Sequence, residues 1–262
     1  MPYKILVIAL GGTIGSVKKD SISLDDNALK ILDYCKYDDV IFEGISPFTC
    51  LSENMTEKLW QELIDVLDKT DYSKHKGVII LHGSDTLAYT SSIIANAFYD
   101  KNIVLTASDK PIEDCNSNGI DNFNKAVDHI KNNTVGVYVS YDGIMRGDCI
   151  TSADINDKFR YINTNLIPTG KKKISHKHIL IIKPYVSMDT DCINLEKVDA
   201  VIFEMFHSAT VPQNIIDFSK KLKCPYCFVT HKDSAEYETA KGIENIIFNC
   251  TTENAYARMI LE

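Results

Sequence analysis

The segment that most constrains the fold spans residues 76–99 and has the pattern of a buried strand, a polar turn and a helix. Residues 78–81 are consecutive apolar side chains without helical spacing, which is typical of a parallel strand covered on both faces. Gly83 interrupts this run, and Ser84 and Asp85 follow where the helix should begin. Ligands bind at the carboxyl ends of the strands in open α/β sheets, so this turn is a candidate site. Its alternative role is a simple helix cap, which contributes about 1 kcal/mol.

A second turn of the same kind lies near the start of the chain. Residues 5–10 form another apolar run, and three glycines follow it closely, with Thr13 and Ser16 among them. Glycine allows the backbone to approach a ligand closely, so this turn presents a hydroxyl group at a strand end. The glycine spacing differs from the G-x-G-x-x-G of dinucleotide-binding units, and the lysine of a P-loop is absent. The two turns therefore predict a hydroxyl-bearing site and give little support to a nucleotide cofactor.

Composition and charge narrow the class of protein. The chain has 262 residues, of which 45% are apolar, and this is enough for a substantial core. Its formal net charge of −8 argues against nucleic acid as a partner, because phosphate binding calls for a basic face. No apolar run reaches the roughly 20 residues that span a bilayer. The first strand begins within a few residues of Met1, which leaves no room for a signal peptide, so we expect a cytoplasmic protein without a membrane partner.

The eight cysteines fit buried free thiols better than a disulfide framework. Cys224 and Cys227 have the C-P-Y-C spacing of a redox motif, which works by placing its first thiol at a helix N-terminus. Here the pair follows an expected helix over residues 215–222 and precedes an expected strand over 228–230. The helix dipole would therefore oppose a thiolate. The sequence predicts structural thiols at both positions, and it predicts neither a cofactor nor a metal.

Strand and helix patterns alternate along the chain, which predicts an α/β fold with a larger N-terminal, doubly wound, mostly parallel sheet and a smaller C-terminal α/β domain. The expected helices cover 25–34, 56–69, 120–131, 212–222 and 253–261. Further expected strands cover 40–45, 103–106, 135–140, 143–151, 179–182, 200–203 and 243–248. A polar segment with Pro and Gly, residues 166–177, is expected to link an N-terminal domain (1–165) to a C-terminal domain (178–262).

Four motifs, in order along the chain, resemble those of the L-asparaginase/glutaminase amidohydrolases. GGTI after the first strand and HGSDT after a later one are similar to that family's TGGTIA and HGTDT. LSENM at residues 51–55 resembles its substrate-binding loop, and IVLTASDKP at 103–111 resembles a strand that ends in G-A-x-x-P. The resemblance covers residues 3 to about 152. It implies hydrolysis of L-asparagine or a related small amide to the acid and ammonia, without cofactor or metal, by a homodimer or homotetramer.

The resemblance also implies a catalytic set. Hydrolysis of a side-chain amide needs a nucleophile, a proton acceptor, donors for the oxyanion and fixed contacts to the substrate. By resemblance, Thr13 is the candidate nucleophile and Ser84 takes the place of the family's second catalytic threonine. Which of the two hydroxyls attacks first stays open. Asp85 belongs to the same set and would also bind the α-ammonium group of the substrate, because a carboxylate is the natural partner of a positive charge.

The remaining site residues would hold an amino-acid substrate. By resemblance, Glu53 joins Asp85 at the α-ammonium group. Ser52 and the backbone N–H groups of Gly83 and Ser84 would bind the α-carboxylate, since the dipole at a helix N-terminus favours anions. Ser108 lies where the substrate amide would be held. Taken alone, Ser52 and Glu53 also fit an ordinary polar loop before a helix.

One departure from the family pattern bears directly on catalysis. Ser152 stands where the family has a lysine that activates water, and a hydroxyl is neither a base nor a cation at neutral pH. Lys158 and Arg146 are the candidates to replace that lysine. Two further functions therefore stay open, namely a degenerate homologue that binds a small amino acid without efficient turnover, and an enzyme acting on another amide or a lactam. Further departures are the absence of a lid tyrosine after Gly15 and the charge of Asp109 beside the expected amide position.

Overall fold

The computed structural model describes residues 2–18, 21–25, 27–132 and 134–262. In chain order, its strands are β1 (Tyr3–Ala9), β2 (Ser16–Lys18), β3 (Ile22–Leu24), β4 (Val40–Ile45), β5 (Gly77–Leu81), β6 (Asn102–Thr106), β7 (Gly136–Tyr141), β8 (Gly143–Arg146), β9 (Ile179–Ile182), β10 (Ala200–Glu204), β11 (Tyr226–Val229) and β12 (Ile246–Ile247). Its α-helices are α1 (Ile31–Tyr34), α2 (Glu57–Asp68), α3 (Leu87–Ala97), α4 (Gly119–Lys131), α5 (Gln213–Ser219) and α6 (Thr252–Ile260). Short 3₁₀ turns lie at Thr13–Gly15, Ser52–Asn54 and Glu238–Ala240.

Six strands form the larger sheet, in the order β4-β1-β5-β6-β7-β8. Neighbouring strands are parallel except in the β7–β8 hairpin. Successive side chains of β1 face opposite sides of the sheet, so that Leu6 and Ile8 pack with α2 and α3, while Ile5 and Val7 pack with α1 and α4. Helices therefore cover both faces, and the predicted α/β class with its doubly wound sheet is confirmed.

Helix α2 illustrates how the sequence sets an element beside the site. Thr56 is its N-cap, and the Thr56 hydroxyl accepts a hydrogen bond from the Leu59 N–H group (3.3 Å). Trp60, Leu63 and Leu67 follow at helical spacing and are buried against the sheet. Because the cap fixes where α2 begins, it also fixes the end of the preceding loop, which carries the LSENM motif.

Four parallel strands form the smaller sheet, in the order β12-β11-β10-β9. Helix α6 follows this sheet in the chain but packs on α3 of the larger one. The Asn96 amide donates to Asn254 Oδ1 (2.9 Å), and Arg258 donates to Asn96 Oδ1 (3.1 Å). The two sheets are thus joined by a helix pair, and the division of the chain at residues 166–177 remains a prediction.

The helix expected over residues 25–34 is mostly absent, because α1 covers only Ile31–Tyr34. The Asp25 carboxylate accepts the N–H group of Asn27 (3.1 Å), and the Asn27 side chain accepts that of Leu29 (3.2 Å). Such side-chain hydrogen bonds to the backbone compete with a helix and favour turns. The prediction was therefore wrong before residue 31; residue 26 lies outside the described part of the chain.

Three strand predictions also need correction. The strand expected over 143–151 ends at Arg146, because the chain turns there and the Cys149 N–H group donates to the Arg146 carbonyl (3.1 Å). The strand expected over 243–248 is only Ile246–Ile247. The β2–β3 hairpin was not predicted at all. These are short or edge elements, whose bounds depend on tertiary contacts more than on apolar periodicity.

All eight cysteines are free, as predicted, but only four are buried, and Cys115 and Cys192 are exposed, so the expected burial was wrong for these two. Burial raises the pKa of Cys227 to about 12, and Cys224 follows α5 rather than preceding a helix, so this pair has no feature of a redox site. Across the described ranges, no helix is long and apolar enough to cross a membrane. In the same ranges, no group of three or more His, Cys, Asp or Glu residues is placed to hold a metal ion.

Candidate active site

A direct contact between two glycines brings the two predicted turns together. Gly12 has a φ of +73°, and a Cβ atom at this position would overlap the backbone of Gly83. A Cβ atom on Gly83 would in turn lie 2.7 Å from the Ser52 Cβ and 3.2 Å from the Gly12 Cα. Thr13 and Ser84 directly follow the two glycines, so both leave the same point at the carboxyl edge of the sheet. Only glycine allows this approach, because any side chain would separate the turns.

The turn that carries Thr13 is held by its own backbone. Gly15 donates its N–H group to the Gly12 carbonyl (3.1 Å), and the Ser16 hydroxyl donates to the same carbonyl (2.7 Å). Ile14 is fully buried and anchors the turn in the core. Thr13 itself is partly exposed, and its hydroxyl has no hydrogen-bond partner among the described residues. The arrangement presents an accessible hydroxyl on a fixed backbone.

The second turn does not use Ser84 or Asp85 as a helix cap. Helix α3 begins at Leu87, its N-cap is Thr86, and no side chain caps it. The Thr86 hydroxyl instead donates to the Ser52 carbonyl (2.8 Å), and the Ser52 hydroxyl donates to the Asp85 carboxylate (3.5 Å). The capping alternative is therefore wrong for this turn. Sequence reasoning missed Thr86 as a connector, although it is the last residue of the HGSDT motif.

The loop with Ser52 and Glu53 is attached to the end of β1. Cys50 donates its N–H group to the Leu10 carbonyl (2.9 Å), and Gly12 donates to the Cys50 carbonyl (3.2 Å). These bonds continue the β1 ladder beyond its last residue and fix the 3₁₀ turn Ser52–Asn54 beside Gly83. Ser52 is buried and Glu53 is exposed. Both predicted side chains thus lie in one turn next to Asp85, and Ser52 contacts it.

Ser108 is placed differently from the other predicted site residues. Its side chain is fully buried, and its Cβ lies 2.9 Å from where a Gly119 Cβ would be. The Ser108 hydroxyl has no hydrogen-bond partner among the described residues. The adjacent Asp109 exchanges two hydrogen bonds of 3.0 Å with Asn118, each side chain accepting the other residue's N–H group. The charge of Asp109 is therefore used to hold the start of α4.

His82 lies at the end of β5, directly before Gly83, and is 1% exposed. Its Nδ1 donates to the Gly83 carbonyl (2.7 Å). Burial lowers the pKa of His82 to about 4, so the imidazole is neutral at physiological pH. A neutral ring with a protonated Nδ1 fixes the orientation of the Gly83 peptide and therefore of the turn.

Neither Lys158 nor Arg146, the two candidate replacements for the family's lysine, reaches the other predicted catalytic residues. The Ser152 N–H group donates to the Glu253 carboxylate (2.6 Å). Lys158 binds the Asp142 carboxylate, which raises the pKa of Lys158, and Arg146 binds Asp148 (2.8 Å). Neither cation contacts Thr13, Ser84 or Asp85. Both candidate replacements are thus engaged elsewhere.

The motifs that build this site agree with a comparison against known families. The family model described as "Asparaginase, N-terminal" matches residues 4–175, which is about two thirds of the chain. The chain belongs to the asparaginase family. The matched range contains every site residue discussed above except Glu253.

Two individual relatives show how similar this asparaginase-family chain is to known proteins in sequence. It is 32% identical over 154 residues to an L-asparaginase of Thermococcus kodakarensis, a match that covers 55% of this chain and 46% of that one. It is 30% identical over 182 residues to a protein of Methanobrevibacter smithii that is named as part of a glutamyl-tRNA(Gln) amidotransferase, covering 61% and 40%. The matched segments therefore span less than half the length of these relatives.

Solved structures extend the comparison to the whole fold. The structure of L-asparaginase I from Vibrio cholerae superposes with a TM-score of 0.79 and covers 100% of this asparaginase-family chain and 92% of its own. The sequence identity is 23%, so this likeness establishes the fold. It includes the smaller C-terminal sheet, which lies mostly beyond the range of the family model.

Proposed function

We propose that this protein is an amidohydrolase that converts L-asparagine or a related small amide to the acid and ammonia. The observation that carries the proposal is the contact between Gly12 and Gly83, which brings Thr13 and Ser84 to one point beside Ser52 and Asp85. A nucleophilic hydroxyl and the groups that orient a substrate must reach one reacting carbon, and the contact between the two turns supports such an arrangement.

The proposed reaction has two halves. The Thr13 hydroxyl attacks the side-chain amide carbon, the C–N bond breaks, and ammonia leaves as an ester forms on Thr13. Water then attacks that ester, which releases the acid and restores the hydroxyl. Asp85 and Glu53 hold the α-ammonium group, and Ser52 and the N–H groups of Gly83 and Ser84 hold the α-carboxylate. Two charged anchors on a small substrate fix its amide relative to Thr13.

Ammonia release is the direct test of this proposal. We expect purified protein to release ammonia from millimolar L-asparagine, and Thr13→Ala to lose at least about 100-fold of the rate, because the variant lacks the hydroxyl on which the ester forms. Thr70→Ala is the matched control, since the Thr70 hydroxyl donates to the Val66 carbonyl at the end of α2, remote from the site. Equal rates in wild type and Thr13→Ala would show that Thr13 is not the nucleophile.

L-Glutamine should be tested as a second substrate in the same assay, because several relatives are named as parts of glutamyl-tRNA(Gln) amidotransferases.

Ser152 favours a second candidate, a homologue that binds a small amino acid without efficient turnover. Its hydroxyl cannot take a proton from Thr13 or from water at neutral pH, and Lys158 and Arg146 are paired with Asp142 and Asp148. Under this alternative, calorimetry detects saturable binding of L-aspartate or L-asparagine without ammonia, and Ser152→Lys gains activity. Absence of both binding and ammonia would contradict the two candidates together.

An enzyme acting on another amide or on a lactam is tested by a broader panel of small amides with the same ammonia or acid readout. The homodimer or homotetramer and the cytoplasmic location expected from the sequence also remain proposals. Light scattering of the purified protein tests the oligomeric state, and a monomer at micromolar concentration would contradict the expected homodimer or homotetramer.

A further inference from the structure

Lys30 is a charged residue in an unusual place. It is only 6% exposed, although it lies just before α1 at the side of the candidate site. Three oxygen atoms surround its ammonium group, namely the Ser16 carbonyl (2.6 Å), the Glu113 carboxylate (2.7 Å) and the Asp25 carboxylate (3.2 Å). A buried ammonium group is stable only where such partners replace water, so the three contacts must form together.

The partners of Lys30 belong to three different segments of the site. Ser16 directly follows the turn of Thr13, and its hydroxyl donates to the Gly12 carbonyl (2.7 Å). Asp25 ends the β2–β3 hairpin, and its N–H group donates to the Gly15 carbonyl (3.1 Å). Glu113 lies in the loop after β6, which also contains Ser108. One ammonium group therefore connects the nucleophile turn, the hairpin above it and the neighbouring loop.

The hairpin needs such a connection. Its strands have three residues each, and an isolated two-stranded hairpin is at best marginally stable in water. Its apolar support on the turn includes Leu24, whose Cδ2 lies 3.0 Å from where a Gly11 Cβ would be. Lys30 adds the polar support, because it binds the first residue of β2 and the residue that follows β3 at the same time.

We propose that Lys30 is a positioning residue that holds the β2–β3 hairpin closed on the turn of Thr13. The ammonium group fixes the Ser16 carbonyl, and through Ser16 it fixes the Gly12 peptide that precedes Thr13. The structural part of this inference stands on these contacts alone, whereas its effect on turnover rests on the proposed amidohydrolase function.

Amide hydrogen exchange tests the structural part without any assay of activity. In Lys30→Met, which keeps an unbranched side chain and removes the charge, the amides of β2, β3 and Asp25 should exchange at least about 10-fold faster than in wild type. Lys4→Met is the matched control, because Lys4 binds Glu43 (3.1 Å) at the opposite end of β1. It should leave the hairpin amides unchanged. Unchanged exchange of the hairpin in folded Lys30→Met would overturn the proposal.

A second variant tests the same contacts in case Lys30→Met does not fold. Glu113→Ala removes one partner at a residue whose side chain is 43% exposed, and it should speed hairpin exchange about 3-fold. Unaltered hydrogen exchange of the hairpin in this variant would also count against the inference.

If wild type hydrolyses an amide, Lys30→Met should lower kcat about 10-fold with a smaller change in KM, and Lys30→Arg should restore part of the lost kcat. If wild type is inactive, the exchange result still decides the role of Lys30.

Discussion

At the scale of single residues, the candidate site depends on buried side chains that hold its turns in place. His82 illustrates this, because its neutral ring binds the Gly83 carbonyl while its Nε2 has no hydrogen-bond partner among the described residues. Burial lowers the pKa of this imidazole, and the hydrogen bond to the Gly83 carbonyl offsets only part of that effect. The ring is therefore a structural support of the turn and is unsuited to act as a base.

The low pKa of His82 predicts a loss of stability in acid. The unfolded chain binds a proton near pH 6.5, whereas the folded chain resists it until about pH 4, so the unfolded state binds more protons between these values. The free energy of unfolding should consequently fall by about 2 kcal/mol between pH 7 and pH 5 on account of His82. Urea unfolding at both pH values measures this difference.

His82→Asn is the matched variant for that measurement. An asparagine amide retains a donor near the position of Nδ1 but does not titrate, so its fall in stability between pH 7 and pH 5 should be smaller by about the same 2 kcal/mol. The carboxylates titrate equally in both proteins and cancel in the comparison. An identical pH dependence in the two proteins would show that His82 is protonated as easily in the folded state as in the unfolded one.

The motifs predicted which residues meet at the edge of the sheet, whereas the roles of these residues stay proposals. Thr13, Ser84 and Asp85 lie at adjacent strand ends, as expected, because the apolar runs before them define neighbouring parallel strands. The engagement of Asp109 by Asn118 was not predictable, because it depends on how a loop folds back on a helix start. The apolar pattern of the sequence identifies which residues reach the edge of the sheet. Tertiary contacts decide which of these side chains have hydrogen-bond partners within the protein.

At the scale of elements, the site depends on two turns that touch through glycine. We predict that Gly12→Ala lowers the free energy of unfolding by about 3 kcal/mol or more, because its Cβ would overlap the Gly83 backbone and its φ of +73° disfavours a side chain. Thermal or urea unfolding measures the change, and ammonia release should fall with it.

Gly143→Ala is the control for a glycine replacement at the same edge of the chain's larger sheet. Gly143 is in the β7–β8 hairpin, and a Cβ there meets no described atom within 4 Å. Its effect on stability should stay within about 0.5 kcal/mol. If the two alanine variants were equally stable, the close contact of the turns would have no energetic importance.

The elements whose bounds were predicted well from the sequence are those with a continuous row of apolar side chains. Helices α2 and α4 and strands β1, β5 and β6 lie within a few residues of their expected bounds. The β2–β3 hairpin escaped prediction because its polar residues show no periodicity and its support comes from Lys30 and Leu24. The helix expected over residues 25–34 begins only at Ile31, because the side chains of Asp25 and Asn27 accept backbone N–H groups in turns.

At the scale of the whole molecule, the two sheets are less separate than the sequence suggests. Ala257, Ile260 and Leu261 of the C-terminal segment belong to the same apolar core as α2 and α3, and so does Ile174. The amphipathic pattern of α6 predicts that one face is buried but does not say against which partner. An N-terminal domain isolated at residue 165 would therefore expose part of its own core.

This shared core predicts how the molecule unfolds. Ile260 is fully buried, so Ile260→Ala should lower the free energy of unfolding by about 3 kcal/mol, whereas Ile155→Ala, at a residue that is 98% exposed, should change it by less than about 0.5 kcal/mol. Because α6 packs on α3, Ile260→Ala should weaken both sheets together. The variant should therefore still unfold in a single transition, which circular dichroism and Trp60 fluorescence report at the same midpoint. Two separate transitions, with fluorescence unaffected by Ile260→Ala, would instead mean that the sheets unfold independently and that α6 contributes nothing to the core that it shares with α2 and α3.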